Sequence, residues 1–292
     1  MSAIDRDMIS RLPKLAHGIK GKLYSLSFPL RRRSYHGKKI VACVFSVGER
    51  TESLAVQSIT RQRVPVARIE MIRNVTPISK ASNMVFEVAN DADYVLWVDA
   101  DMILFEDCTK KLLSLASPNA LYSVAPLADP VFGPVGYIKL LNMHLVNDLK
   151  LRFRDVLGCD KDFCNQARDR SRKIIIENYE FPRTVLGLHH PTYTAKELFR
   201  KNQIEKKKRG NAIDQALLAS LNLLYAKTHN PVLLAGILGE LLPNPDNRQG
   251  ESDPNSGLDH WGSIDKLLAC APDDLEYGFS KDTHPHYARY LV

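Results

Sequence analysis

Along the first half of the chain, short apolar runs alternate with stretches whose apolar residues recur every third or fourth position. Residues 40–47 are almost wholly apolar and read as a strand covered on both faces. The loop Ser46-Val47-Gly48-Glu49-Arg50 follows, and Thr51 is placed to cap a helix carrying Leu54, Ala55, Ser58 and Ile59. Residues 66–72 form a second strand pattern. Ser79 then caps a helix that buries Ala81, Met84, Val85 and Val88, and residues 94–98 form a third strand. This alternation predicts an α/β fold with a mainly parallel, Rossmann-type sheet and right-handed crossovers.

Further on, the pattern predicts a short helix at 108–115, a strand at 120–125 and a Pro/Gly loop at 129–136. It predicts a strand at 137–141 on the sheet edge, a helix from about His144, basic helices at 162–173 and 196–203, and short strands at 174–176 and 185–188. Helices at 213–225 and 231–242 precede a polar loop at 243–259, and no internal repeat is visible. The chain divides into a basic arm at 1–37, an α/β catalytic domain at 38–210 and a helical extension at 211–292.

Composition narrows the class. The chain has 292 residues, 45% apolar and 25% charged, which suits a soluble globular protein and argues against disorder, collagen and coiled coil. No apolar run reaches the roughly 18–20 residues that cross a bilayer. Five cysteines without a CxxC pair point away from a disulfide framework or zinc knuckle and toward a reducing, cytoplasmic setting. Neither GxGxxG after the first strand nor GxxxxGK[ST] is present, so dinucleotide and P-loop binding lose their usual markers.

The net charge of +7 is uneven. Residues 1–39 hold ten Lys/Arg against Asp5 and Asp7, a balance of +8, while the remainder is nearly neutral. Leu12, Leu15, Ile19, Leu23 and Leu26 recur at helical spacing beside Arg31, Arg32 and Arg33. Two uses fit: peripheral contact with an anionic membrane, or a basic extension packing one face on the domain.

Chemistry concentrates at two places. In Tyr94-Val95-Leu96-Trp97-Val98-Asp99-Ala100-Asp101 an apolar strand ends in two carboxylates, where open parallel sheets bind ligands. Two acids there are costly unless a cation joins them, and a hard divalent ion holding a diphosphate is the natural choice. In Gly187-Leu188-His189-His190-Pro191, an imidazole at a strand end precedes a helix bearing Lys196, Arg200 and Lys201, which can face phosphates.

Taken together, these segments resemble the GT-A-fold glycosyltransferases, in particular the large inverting, nucleotide-sugar-dependent family that builds bacterial surface polysaccharides. The resemblance covers residues 39–210 and follows the family's order: Ser46 to Arg50 after the opening strand, Gln57-Ser58-Ile59-Thr60-Arg61-Gln62, Ile78-Ser79-Lys80-Ala81-Ser82-Asn83, the DxD at Asp99 and Asp101, then His189-His190-Pro191. It implies sugar transfer (hexosyl type) from a nucleotide-sugar donor to a saccharide or lipid-linked hydroxyl acceptor, with Mn2+ or Mg2+. Asp101 and His189 would be metal ligands, with His190 able to exchange roles with His189. Asp99 would sit near the ribose or the metal's water shell, and Ser46, Glu49, Asn83 and Lys196 would line the donor site. Asp160 would be the general base, with Asp162 as its alternative. The family's acid after the second strand is replaced by Met71-Ile72-Arg73-Asn74, which leaves a purine donor open. The competing readings are a phosphohydrolase using the Asp-x-Asp pair, and a nucleic-acid-binding protein using the arm. The neutral body makes nucleic acid an unexpected partner.

The arm generates a test. The full chain is expected to sediment with anionic vesicles at low salt and to be released at high salt, since each basic residue near such a surface contributes about 1 kcal/mol. A chain beginning at Lys38 should stay in solution, and equal sedimentation of the two would leave the arm as packing.

Overall fold

A computed structural model of the chain describes residues 37–156, 158–178, 185–242, 275–280 and 284. The predicted arm helix, the 243–259 loop and Cys270 lie outside the described residues. The first strand, β1 (Ile40–Ser46), is buried at every position, as its unbroken apolar run requires. β2 (Arg68–Arg73) and β3 (Tyr94–Asp99) flank it in parallel, with Val41 opposite both Arg68 and Val95. The parallel trio is joined by α1 (Glu52–Thr60) and α2 (Ile78–Val88). Two predicted caps act otherwise. Thr51 stands at the N-cap of α1 but makes no capping bond, and Ser79 lies inside α2, donating to Asp155 at 3.2 Å.

After β3 come β4 (Met102–Leu104), α3 (Cys108–Leu115), β5 (Ala120–Asp129) and β6 (Gly133–Asn142). α4 (Met143–Asp148), α5 (Cys159–Arg170), β7 (Ile175–Asn178) and β8 (Gly187–His189) follow. The eight-stranded sheet runs β2-β1-β3-β6-β5-β8-β4, with β7 also paired to β5. It is mixed: β6 is antiparallel to β3 and β5, and β8 is antiparallel to β4 but parallel to β5. β6 is therefore interior and not the edge strand its alternation predicts. Its polar positions include Lys139, whose ammonium lies 3.9 Å from Asp160.

The main core packs β1, β3 and β5 against α2 and α5, with Phe153 stacked on Phe163 at 4.2 Å and Phe45 on Trp97 at 4.5 Å. Asn83 fixes this layer, donating to the Phe153 carbonyl at 2.8 Å and accepting from its N–H at 3.0 Å. β9 (Thr192–Thr194), α6 (Ala195–Lys208), α7 (Gln215–Thr228), α8 (Pro231–Leu241) and β10 (Glu276–Gly278) share a separate apolar cluster around Tyr193, Leu198, Phe199, Leu221 and Leu233. Among the described residues, no helix is long and apolar enough to cross a membrane.

β8 is wedged between β4 and β5 because Gly187 has no side chain. A Cβ there would lie 2.5 Å from the Ile103 carbonyl oxygen and 3.0 Å from a Leu127 methyl. Gly187→Ala is expected to destabilise the protein by about 1–3 kcal/mol, read as a lower urea midpoint. An unchanged midpoint would mean that β8 can shift outward at no cost.

Candidate functional site

The parallel register sets Asp99 beside Phe45, at the carboxyl ends of β1 and β3. The Ala100 N–H donates to the Phe45 carbonyl at 2.8 Å, and the Thr51 hydroxyl donates to the Ala100 carbonyl at 2.8 Å. The turn carrying the two acids is thereby tied to the β1–α1 loop. This is the use of Thr51 that replaces helix capping.

The histidines arrive from β8, whose antiparallel pairing sets His189 opposite Met102. His190 has φ +45°, and its N–H donates to the Asp101 carbonyl at 2.8 Å. Successive strand side chains normally point to opposite faces. Here the left-handed turn at His190, a conformation in which histidine is enriched, lets both imidazoles reach one carboxylate. His190 Nδ1 is 3.2 Å and His189 Nε2 3.6 Å from Asp101 Oδ2. His190 also stacks on Tyr193 at 4.0 Å, and its Nε2 lies 3.8 Å from Glu197.

Electrostatics separates these groups. Burial alone would raise Asp101, but the hydrogen bond from His190 holds its carboxyl below the usual range. Burial pushes Asp99 up, and Asp101 adds to that push. Burial would depress His190, yet its hydrogen bond to Asp101 and the nearby Glu197 carboxylate carry it up to about 9, and its buried Nε2 has no hydrogen-bond partner among the described residues. Asp101 Oδ1 is buried and has no hydrogen-bond partner among the described residues.

Asp129, at the end of β5, is the acid that the sequence left without a role. Ala128 pairs with Leu188, which sets Asp129 and His189 side by side on neighbouring strands. Asp129 Oδ2 is 3.1 Å from His189 Nδ1 and accepts from the Tyr193 hydroxyl at 2.7 Å. No local signal could have joined residues sixty apart; only the strand register does.

The remaining predicted residues disperse. Ser46 and Glu49 close on each other, the Ser46 hydroxyl donating to Glu49 at 3.0 Å and the Val47 N–H to the same oxygen at 2.8 Å. Glu49 lines a small cleft with Arg50, Thr51, Asp101, His190 and Glu197. Arg50 pairs with Glu197 at 3.0 Å and with Glu276. Glu197 also forms a capping box with Thr194. Burial would raise Glu197, but the nearby His190 ring and the hydrogen bond from the Thr194 N–H bring it down to about 2. Lys196 is exposed on α6, and it is the charge of Lys201 that reaches Asp101. The Asn83 amide is engaged with Phe153, away from the cluster of acids and imidazoles. Asp160 is exposed in the first turn of α5, whereas Asp162 accepts from Gln166 at 2.7 Å and pairs with Arg154 at 3.6 Å.

Among the described residues, no group of three or more His, Cys, Asp and Glu side chains is arranged to hold a metal ion by itself. A pair does meet the need: Asp101 has a buried oxygen without a partner, and His189 turns Nε2 toward the same carboxylate. An ion there would complete its shell from phosphate oxygens and water, the usual habit of Mg2+ in phosphate sites.

No protein-family model matches the chain, and no curated protein matches it. Among solved structures, TarS 1–349 of S. aureus is similar over 69% of this chain and 71% of that one, at 10% identity and a TM-score of 0.38. The same TarS fragment in complex with UDP-GlcNAc is similar over 64% of this chain and 73% of that one, at 13% identity and a TM-score of 0.36. A glycosyltransferase involved in the glycosylation of the major capsid of PBCV-1 is similar over 52% of this chain and 93% of that one, at 13% identity and a TM-score of 0.35.

Proposed function

We propose that the chain is a metal-dependent glycosyltransferase moving a sugar from a nucleotide-sugar donor to a hydroxyl of a saccharide or lipid-linked acceptor, in the synthesis of a cell-surface polysaccharide or glycolipid. The observation that carries this is the unpartnered, buried Oδ1 of Asp101 just past the carboxyl end of β3, on a carboxylate whose other oxygen lies 3.6 Å from His189 Nε2. A carboxylate kept ionised in that position calls for a cation. Asp101 and His189 would hold Mn2+ or Mg2+, and Asp99 would meet the ribose or the ion's water shell. His190, whose Nδ1 already meets Asp101 Oδ2 at 3.2 Å, would stand beside the ion as the alternative ligand to His189. When bound, the ion supplies neutralisation of the leaving diphosphate.

The chain's own residues do the rest. Lys201 adds positive charge on the same side as Asp101, which suits it to a phosphate better than the more exposed Lys196. Asp160 takes the acceptor proton as the acceptor oxygen forms its bond to the anomeric carbon and the bond to the diphosphate oxygen breaks. This is a single inverting displacement. Asp160 suits this role better than Asp162, whose carboxylate is committed to Gln166 and Arg154. Lys139 lies 3.9 Å from Asp160, and its charge also acts on Asp99, so it links the base to the donor side. The proposed catalytic unit spans 38–210. The extension closes on it through Glu276 and Arg50. A position on the cytoplasmic face of a membrane, held by the arm, would bring the enzyme to a lipid-linked acceptor.

A thermal-shift panel of nucleoside diphosphates and their sugars, with and without Mn2+, tests the donor site, because a ligand that binds the folded state raises its melting point. One nucleotide is expected to raise it in a Mn2+-dependent way, and Asp101→Ala or His189→Ala should remove the Mn2+-dependent part and nearly abolish transfer. Full transfer in excess chelator would overturn the metal assignment.

Asp160→Asn keeps shape and removes basicity. It is expected to lower turnover by about a hundredfold or more with nucleotide binding retained. The same loss in Asp162→Asn, with none in Asp160→Asn, would move the base to Asp162.

A further inference from the structure

We infer that Asp129 is the positioning residue of the site: it fixes the ring proton of His189 on Nδ1 and leaves the Nε2 lone pair facing Asp101. The side chain of Asp129 is fully buried. A buried carboxylate must be satisfied by donors, and four surround this one. Oδ1 accepts from the Val131 N–H at 2.9 Å and the Phe132 N–H at 3.0 Å, while Oδ2 accepts from the Tyr193 hydroxyl at 2.7 Å. The fourth neighbour is His189 Nδ1, 3.1 Å from Oδ2. An ionised carboxylate only accepts, so Nδ1 must carry the proton. The other ring nitrogen stands 3.6 Å from Asp101 Oδ2, longer than a hydrogen bond. Nε2 is therefore uncommitted and aimed at the acid.

The scaffold makes the arrangement rigid. Asp129 is held by its own turn through two backbone N–H groups, and Tyr193 packs edge-on to Phe132 at 6.2 Å. The two backbone donors also dictate what a neutral replacement would do. In Asp129→Asn the amide oxygen must stay where Oδ1 is, facing Val131 and Phe132. The NH2 group then falls at the Oδ2 position and donates to His189 Nδ1, which drives the ring proton to Nε2. Ligating histidines commonly donate their second nitrogen to a carboxylate, and loss of that partner lowers metal affinity about 10–100-fold. The affinity part of this inference rests on the proposed metal role of His189; the tautomer part does not.

The experiment is long-range proton–nitrogen NMR on the metal-free full chain with labelled histidine, with His189→Gln assigning the signal, followed by titration with Mn2+ alone. Wild-type His189 is expected to carry its proton on Nδ1. Asp129→Asn should move it to Nε2 and weaken Mn2+ binding about 10–100-fold. Tyr193→Phe disturbs the same oxygen's packing, yet should keep the Nδ1 proton and the Mn2+ affinity. A wild-type ring protonated on Nε2 overturns the inference without any variant having to fold, and so does a tautomer exchange in Tyr193→Phe. If wild type binds Mn2+ and Asp129→Asn binds it equally, the link to the metal is overturned. A wild-type chain that shows the Nδ1 proton but takes up no Mn2+ supports the positioning and counts against the metal reading alone.

Discussion

A carboxylate held ionised among shielding neighbours must be answered by positive charge, and at Asp101 that requirement organises the surrounding chain. Two imidazoles converge on one of its oxygens, at 3.2 and 3.6 Å. Each imidazole is answered in turn by another acid, His190 by Glu197 and His189 by Asp129. Glu197 then meets Arg50, which also meets Glu276 on β10. Acids and basic groups thus alternate along this path, while Asp99 lies beside Asp101 as a like neighbour and is pushed up by it. The left-handed turn at His190, the capping box at the start of α6 and the tie from Thr51 to Ala100 are the local structures that keep the path in place.

The parts of this arrangement legible in the sequence were those with a local signature. β1 announced itself because a strand covered on both faces must be apolar throughout. The acids at 99 and 101 were legible because charge immediately after such a run is costly without a partner. What escaped was long-range. β6 reads as an edge strand, yet lies between β3 and β5, with Tyr137 left exposed and Lys139 3.9 Å from the exposed Asp160. Thr51 and Ser79 carry cap chemistry, but both hydroxyls are spent on tertiary contacts. The different surroundings of His189 and His190 arise from one positive φ and from the register of β5 with β8, and adjacent letters in a sequence encode neither.

The C-terminal helices show the same logic in an apolar setting. α8 approaches α6 so closely that a Cβ on Gly239 would lie 2.6 Å from the Phe199 carbonyl oxygen. The buried Glu240 carboxylate accepts from Arg209 at 2.8 and 2.9 Å and from the Asp214 N–H at 2.5 Å, while the Lys206 ammonium donates to the Glu240 and Leu242 carbonyls. With its charged partners paired, this cluster gives α6 a firm back. α6 carries Glu197 and Lys201 on the side that answers Asp101.

The backbone bond from His190 to the Asp101 carbonyl extends the β4–β8 ladder by one rung past Met102 and His189. The backbones of Asp101, His189 and His190 are therefore stitched into the sheet as one block, and none can move away from the others without unzipping strand pairing. The opposite wall of the cleft is made differently: Arg50 and Glu197 meet through side chains that are 49% and 37% exposed. The two jaws thus differ in stiffness. Compliance belongs to the solvent-facing wall, where side-chain rotation alone can widen the mouth while the spacing of the deep groups stays as the hydrogen-bond ladder sets it.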